Sequence, residues 1–178
     1  MTKAEQVYGS SLYELAKEEQ LTEEIYEQLR QVIGIFDQTD YWRFLSLQSI
    51  AKQERCSALD EALGGKVQPY LLSFLKILCE NEIISQLKGC AKEYRRRYNE
   101  DHDIVEVCAV TAVELAEPLK KKLREKLQTV LGKTVELTGR VDPACVGGVL
   151  LELPGRQLDG TVRHRLDALA DTLKAAAL

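Results

Sequence analysis

A chain of 178 residues, 45% apolar and 29% charged, has the composition of one medium or two small globular domains and is too apolar to be disordered. Its formal net charge of -4 gives no bulk attraction for nucleic acid. No run of about 18 apolar residues exists, so no bilayer-spanning segment is expected; the most apolar stretch, YLLSFLKIL, is interrupted by Lys76.

The first hundred residues read as helices. Ala4, Val7, Tyr8, Ser11, Leu12 and Leu15 recur at helical spacing. Thr22 has the chemistry of an N-cap, and Glu23 and Glu24 suit the positive end of the helix dipole that follows. Leu29, Val32, Ile33 and Phe36 continue that second helix. A short amphipathic piece is expected at YWRFL, then a helix over SLQSIAKQERCSALDEAL that stops at Gly64-Gly65. Pro69 suits the first turn of a fifth helix over QPYLLSFLKILCEN. Ile84, Leu87, Ala91, Tyr94 and Tyr98 make the stripe of a sixth, ending near Asn99.

The period then switches. Ile104, Val105, Val107, Ala109 and Val110 have strand composition. A basic helix follows, with Pro118 near its start and Leu119, Leu123, Leu127, Val130 and Leu131 on its apolar side. KTVELTGRV and GGVLLEL read as two further strands, and RQL as a short fourth after a Pro154-Gly155 turn. Asp159 is placed to cap a last helix with the stripe Val162, Leu166, Leu169 and Leu173. The fold class expected is α+β: an N-terminal six-helix bundle over 1–103 and a small α/β domain over 104–178, divided at YNEDHD.

Candidate chemistry is sparse. Gly132-Lys133-Thr134 lacks the earlier glycine of a phosphate loop, since Leu127 stands there, and the helix precedes it where a strand should. Gly147-Gly148 lacks the spaced glycines of a dinucleotide fold and reads as a tight bend or a close approach of two backbones. Arg95-Arg96-Arg97 and Lys120-Lys121-Lys122 are flanked by acids with no aromatic platform, as solvated faces are; either run, the lysine run in particular, could also meet an acidic partner helix. Five cysteines, an odd number with no C-x-x-C pair, fit reduced, buried thiols in a reducing compartment. His102 and His164 lie apart from any cysteine cluster, so no zinc site is expected. A small Cys/His enzyme and a nucleic-acid adaptor are the alternative functions, each without a local signature. The amino-terminal residues lack the apolar core of a signal peptide, which places the chain in the cytosol. The fifth helix is apolar almost all round, at Leu71, Leu72, Phe74, Leu75, Ile77 and Leu78. It is either central to its own bundle or turned partly toward a partner.

Three stretches carry a resemblance: AEQVYGSSLYELAKEE; LLSFLKILCENEIISQLKGCAKEYRRRYNEDHDIVEVCAVTAVEL; and VDPACVGGVLLELPGRQLDGTVRHRLDAL, with its Asp-Pro, Gly-Gly and Asp-Gly-Thr-Val-Arg. In this order, over nearly the whole chain, they resemble the delta subunit of the rotary ATP synthase, called OSCP in mitochondria. Gly9 and Ser11 stand where that family favours Ala, SLQS replaces a frequent Pro, and Val146 replaces Ile.

The resemblance implies a non-catalytic subunit of the peripheral stalk in a proton- or sodium-translocating synthase, without cofactor, metal or nucleic-acid partner. It implies peripheral attachment, through partners, at the cytoplasmic face of the bacterial cell membrane, with no direct membrane insertion. The helical domain is expected to hold α-subunit N-terminal segments in a groove between its first and fifth helices. Tyr8, Ser11 and Leu12 would form one wall and Leu72, Leu75 and Cys79 the other, with Gly9 and Ser11 admitting the visitor closely. The small domain is expected to meet the C-terminal ends of b-type stalk subunits, with Lys120, Lys121, Lys122 and Arg124 offering cations. Gly147, Gly148, Asp159 and Gly160 are expected to be a packing motif.

Overall fold

The computed structural model describes residues 2–39, 41–47, 49–145 and 147–162. The chain divides into two compact units, Met1–Tyr98 and Asn99–Leu178. The first is helical: α1 (Lys3–Glu18), α2 (Thr22–Gln38), α3 (Tyr41–Ser46), α4 (Lys52–Leu63), α5 (Pro69–Glu80), a 3-10 turn at Ile84–Gln86, and α6 (Leu87–Asp101), which runs a few residues into the second. The second holds β1 (Ile104–Thr111), α7 (Glu117–Leu131), β2 (Thr134–Val141), β3 (Val149–Leu153) and β4 (Arg156–Asp159).

Helix starts are set locally. Thr2 and Glu5 form a reciprocal capping box at α1. Thr22 does not cap α2: Leu21 occupies that position with no side-chain bond, and Thr22 lies in the first turn. The Thr22 carbonyl accepts the hydroxyl of the buried Tyr94 at 2.8 Å. The expected helix from Ser46 begins only at Lys52, because Ala51 is extended (φ -57°, ψ 142°). Pro69 opens α5, and the N–H of Gln68 before it donates to Gln28 Oε1 of α2 at 2.7 Å.

The helical core is built from Ile25, Leu29, Val32 and Phe36 of α2, Leu71, Leu75 and Leu78 of α5, and Tyr94 of α6. Helix α1 lies on α6 through Gly9. A Cβ there would meet the Cys90 carbonyl oxygen at 2.5 Å, and one at Gly89 would collide with the Glu5 side chain. Gly9 therefore serves its own bundle, not a visiting helix as the sequence suggested.

In the second unit the sheet order is β2-β1-β3-β4. Strands β1 and β2 are parallel, with Ile104 opposite Thr134, so α7 is the crossover between them; β3 and β4 add antiparallel. Leu123, Leu127 and Leu131 of α7 pack on Val107, Val135, Leu137 and Leu151. Gly132 ends α7 at φ +66°, which accounts for the glycine of Gly-Lys-Thr. Gly148 has φ +84° and passes so near the Gly160 carbonyl that any Cβ would collide. Val162 N–H donates to the Gly147 carbonyl at 2.9 Å, and Asp159 Oδ1 accepts from Thr161 N–H at 2.9 Å. The remaining stripe of the expected last helix, Leu166, Leu169 and Leu173, lies outside the described residues, as does His164.

Gly9→Ala is expected to destabilise the chain by about 1–3 kcal/mol through overpacking against α6. Gly34→Ala, in α2 with no atom within 4 Å of its Cβ position, is expected to stabilise by roughly 0.5–1 kcal/mol. Urea unfolding midpoints of the two variants check the opposite signs.

Candidate functional site: partner-binding surfaces

Helix α1 has one face sealed and one flank spare. Gly9, Leu12, Tyr13 and Ala16 are buried. One edge of that face adjoins α6, where Gln6, Val7 and Ser10 line a shallow cleft with Glu93, Arg96 and Arg97. The other edge is the stripe Ala4, Tyr8, Ser11, Leu15 and Glu19, spaced as one helical flank. Tyr8 and Leu15 are half-buried there and Ser11 is exposed. The stripe ends at Glu19, whose charge raises the Tyr70 phenol above its ordinary range, so the end of α1 lies near the start of α5.

Helix α5 has two unlike flanks. Leu72, Lys76 and Cys79 turn toward α4: Lys76 Nζ is 2.6 Å from Asp60 Oδ1, and, after burial, Cys56 of α4 is among the groups that raise the Cys79 thiol. Tyr70 and Ile77 lie on the Glu19 side, 37% and 45% exposed, with Phe74 between them just under the surface. Four of the six expected wall positions therefore need correction. Leu12, Leu75 and Cys79 are core residues, Leu75 with no accessible surface at all, and Leu72 stands on the α4 flank. Tyr8 and Ser11 remain on the surface flank of α1. Tyr70 and Ile77 were missed, although the all-round apolar character of α5 was their signal.

The arginine run is committed within the helical unit. Glu93, almost fully buried, takes two bonds from Arg96, Nη2–Oε1 at 2.6 Å and Nε–Oε2 at 2.9 Å. Arg97 adds bonds to Glu93 and, at 3.2 Å, to Glu14. The Arg96 hydrogen bonds, ahead of the charge of Arg96 and the contribution of Arg97, hold the Glu93 carboxyl below the usual carboxylate range.

On α7 the four expected cations differ. Lys120 Nζ is 2.7 Å from Glu117 Oε1 and 3.9 Å from Glu114 Oε1, and its stem passes over Gly139. The Glu117 hydrogen bond raises its pKa. Lys121, Lys122 and Arg124 are exposed and enter no ion pair among the described residues. Leu119 and Val130 of the same helix are 54% and 81% exposed. Among the described residues no three potential metal ligands gather, and no helix is long and apolar enough to cross a membrane.

The helical unit thus has an apolar shoulder, and the mixed-sheet unit presents cations unpaired among the described residues, surfaces of the kind that a binding subunit uses. The family model for the ATP synthase delta (OSCP) subunit matches residues 4–173. The ATP synthase subunit delta of Symbiobacterium thermophilum is 32% identical, covering 95% of this chain and 91% of its own. That of Clostridioides difficile is 27% identical over 93% of both. The sodium ion specific subunit delta of Propionigenium modestum is also 27% identical, over 92% of this chain and 94% of its own. A chain of the Toxoplasma gondii mitochondrial ATP synthase hexamer shares the fold, with TM-score 0.77 at 21% identity, covering 97% of this chain and 98% of that one. The chain belongs to the ATP synthase delta (OSCP) subunit family, whose members are non-catalytic subunits of the peripheral stalk.

Because the Glu93 carboxyl is depressed in the folded state, its contribution to stability is present above the ordinary carboxylate range. That contribution is lost as pH falls through the lowered value. Glu93→Gln is expected to cost about 1.5–3 kcal/mol at neutral pH, the range for bonds to charged groups. The variant's stability should also fall less steeply on acidification. Urea midpoints between pH 7 and about pH 3 measure both effects.

Proposed function

We propose that the chain links the catalytic head of the ATP synthase to its b-type stalk and resists rotor torque without chemistry of its own. The helical domain, residues 1–103, acts as one six-helix bundle that holds an amphipathic N-terminal helix of an α subunit. The visitor lies between the α1 flank (Tyr8, Ser11, Leu15) and the α5 shoulder (Tyr70, Ile77). Leu12 and Leu75 form the packed layer beneath. One observation carries this reading: α5 buries a full apolar face and still keeps Tyr70 and Ile77 at the surface, beside a half-buried flank of α1. Apolar anchors at helical spacing are what a helix in a groove requires. The domain over 104–178 meets the C-terminal ends of the b-type subunits through Lys121, Lys122 and Arg124, with Leu119 and Val130 as the apolar part of that surface. The protein then sits at the cytoplasmic face of the bacterial cell membrane through its partners alone.

The groove is tested by titrating the full chain with a peptide of the α-subunit N-terminus. Ile77→Asp puts a carboxylate on the shoulder, and binding should weaken by several kcal/mol while the helical circular dichroism is unchanged. Leu75→Asp should unfold the helical unit, since that side chain has no accessible surface. Saturable binding that is indifferent to Ile77→Asp would move the groove elsewhere.

On the stalk side, replacing Lys121, Lys122 and Arg124 together by Gln should weaken b-type binding and lower its salt dependence, with α-peptide affinity unaffected. Lys120→Gln alone should have the smaller effect, because Glu117 already engages that ammonium. Stalk affinity that ignores the triple change at low salt would return these cations to the solvent.

A further inference from the structure

Helices α4 and α5 are held antiparallel by successive rungs. Lys52 Nζ donates to the Glu80 carbonyl at 2.8 Å, and Asp60 Oδ1 meets Lys76 Nζ at 2.6 Å. Cys56 lies one turn from each of Lys52 and Asp60, and Cys79 stands between Lys76 and Glu80, so the two thiols form the middle rung. Besides burial, Cys56 is among the groups that raise the Cys79 thiol, as facing side chains on this rung would, and all five cysteines are free. Cys56 is half-buried, whereas Cys79 has no accessible surface.

A second feature points to chemistry at this rung. Arg55, next to Cys56, is 2% exposed. Its Nη1 donates to the Leu45 carbonyl at 3.0 Å, and its buried Nε has no hydrogen-bond partner. A buried guanidinium with no carboxylate among its described contacts is a costly thing to keep in a core. Its charge opposes part of what burial does to the Cys79 thiol, and a thiolate is the nucleophile in thiol oxidation.

We propose that Cys56 and Cys79 are a modification site, a dithiol that a peroxide converts to an intramolecular disulfide tying α4 to α5. The Cys56 thiolate, the member that solutes reach, attacks one peroxide oxygen; the O–O bond breaks and Cys56 becomes a sulfenic acid. The Cys79 sulfur then attacks the Cys56 sulfur. The S–S bond forms, the S–O bond breaks, and the departing hydroxide leaves as water with the Cys79 proton. Two thiols are oxidised by two electrons and one peroxide is reduced to two waters. Thiol exchange with a small dithiol reverses the step. Burial and the neighbouring Cys56 raise the Cys79 thiol, which suits it to resolve rather than to initiate. A disulfide needs a specific Cα and Cβ approach, and the register of the two helices is already fixed by the flanking rungs. This site is independent of the stalk reading.

The test treats the full chain with hydrogen peroxide, blocks remaining thiols with an alkylating reagent, and digests with trypsin. Cleavage at Arg55, Lys66, Lys76 and Lys88 puts the two cysteines on separate peptides, 56–66 and 77–88. The expected product joins these peptides within one chain, is lighter than their sum by two hydrogens, and is released by dithiothreitol. The oxidised protein should melt at a higher temperature than the reduced one, because a cross-link between residues 56 and 79 restricts the unfolded chain. Cys56→Ser, which alters only a half-buried position, should abolish the joined peptide and leave Cys79 open to alkylation after denaturation. Sulfinic acid at Cys56 with Cys79 still a thiol would overturn the proposal. So would a joined peptide found only between two copies of the chain, or Cys79 oxidised equally in Cys56→Ser.

Discussion

The seating of α1 on α6 decides what the helical unit can offer a partner. With no side chain at Gly9, the two backbones approach until a Cβ would stand 2.5 Å from the Cys90 carbonyl oxygen. That contact fixes the rotation of α1 about its own axis. Leu12, Tyr13 and Ala16 then point inward, Val7 and Ser10 line the edge beside α6, and the opposite edge carries Tyr8, Ser11 and Leu15. A rotation of one residue position, about 100°, would carry the Tyr8–Leu15 stripe off this edge. The start of α5 lies near the end of α1, with Tyr70 under the charge of Glu19, and the rotation of α5 is set by Lys76, paired to Asp60 on the α4 side. The exposed position of Ile77 follows from these contacts.

A stator must hold under a load that fluctuates with each catalytic step, so slow release matters more than fast encounter. Apolar burial supplies that, since it is not screened by salt and its energy resides in the bound state. The shoulder of α5 has this character: two large apolar side chains at the surface over a fully packed layer. A packed floor matters mechanically as well, because a close-packed interior yields little under load. The Glu93–Arg96–Arg97 cluster, buried only at Glu93, has a different role. Its ion pairs are satisfied within the unit, and it locks α6 to α1 through Glu14.

Much of this architecture is legible in the sequence, for identifiable reasons. Pro69 marks the start of α5, the change from helical to alternating spacing marks β1, and Pro118 and Gly132 bracket α7. These are local signals, and nothing distant overrides them. The failures share one cause. Thr22 has the chemistry of a cap but lies in the first turn, with its carbonyl bonded to Tyr94, 72 residues away. Leu72, Leu75 and Cys79 all belong to an apolar helix, yet spacing alone does not say which neighbour covers which flank; α4 covers Leu72 and Cys79, and the core takes Leu75. Gly9 illustrates the same limit, since a small residue tells that something comes close but not what. The pairing of Cys56 with Cys79 and the burial of Arg55 leave no trace in composition or spacing, because both depend on the register of α4 against α5.

The second unit divides the cations of α7 by the same kind of constraint. Parallel strands β1 and β2 need a crossover, and α7 provides it with Leu123, Leu127 and Leu131 turned to the sheet. Once that face is fixed, a basic helix can only send its charges outward or along its edges. Lys120 falls at an edge, where Gly139 of β2 leaves room for its stem and Glu117 meets its head. Lys121, Lys122 and Arg124 fall outside and meet no acid among the described residues. Cations left unpaired on a helix that also exposes Leu119 and Val130 form a mixed surface, with charge to steer an acidic helix and apolar area to retain it. Such a surface should respond to salt mainly in how fast it captures its partner, whereas the α5 shoulder should hardly respond at all. The chain therefore presents two surfaces of different physics, one apolar and one charged, and ionic strength acts on the second far more than on the first.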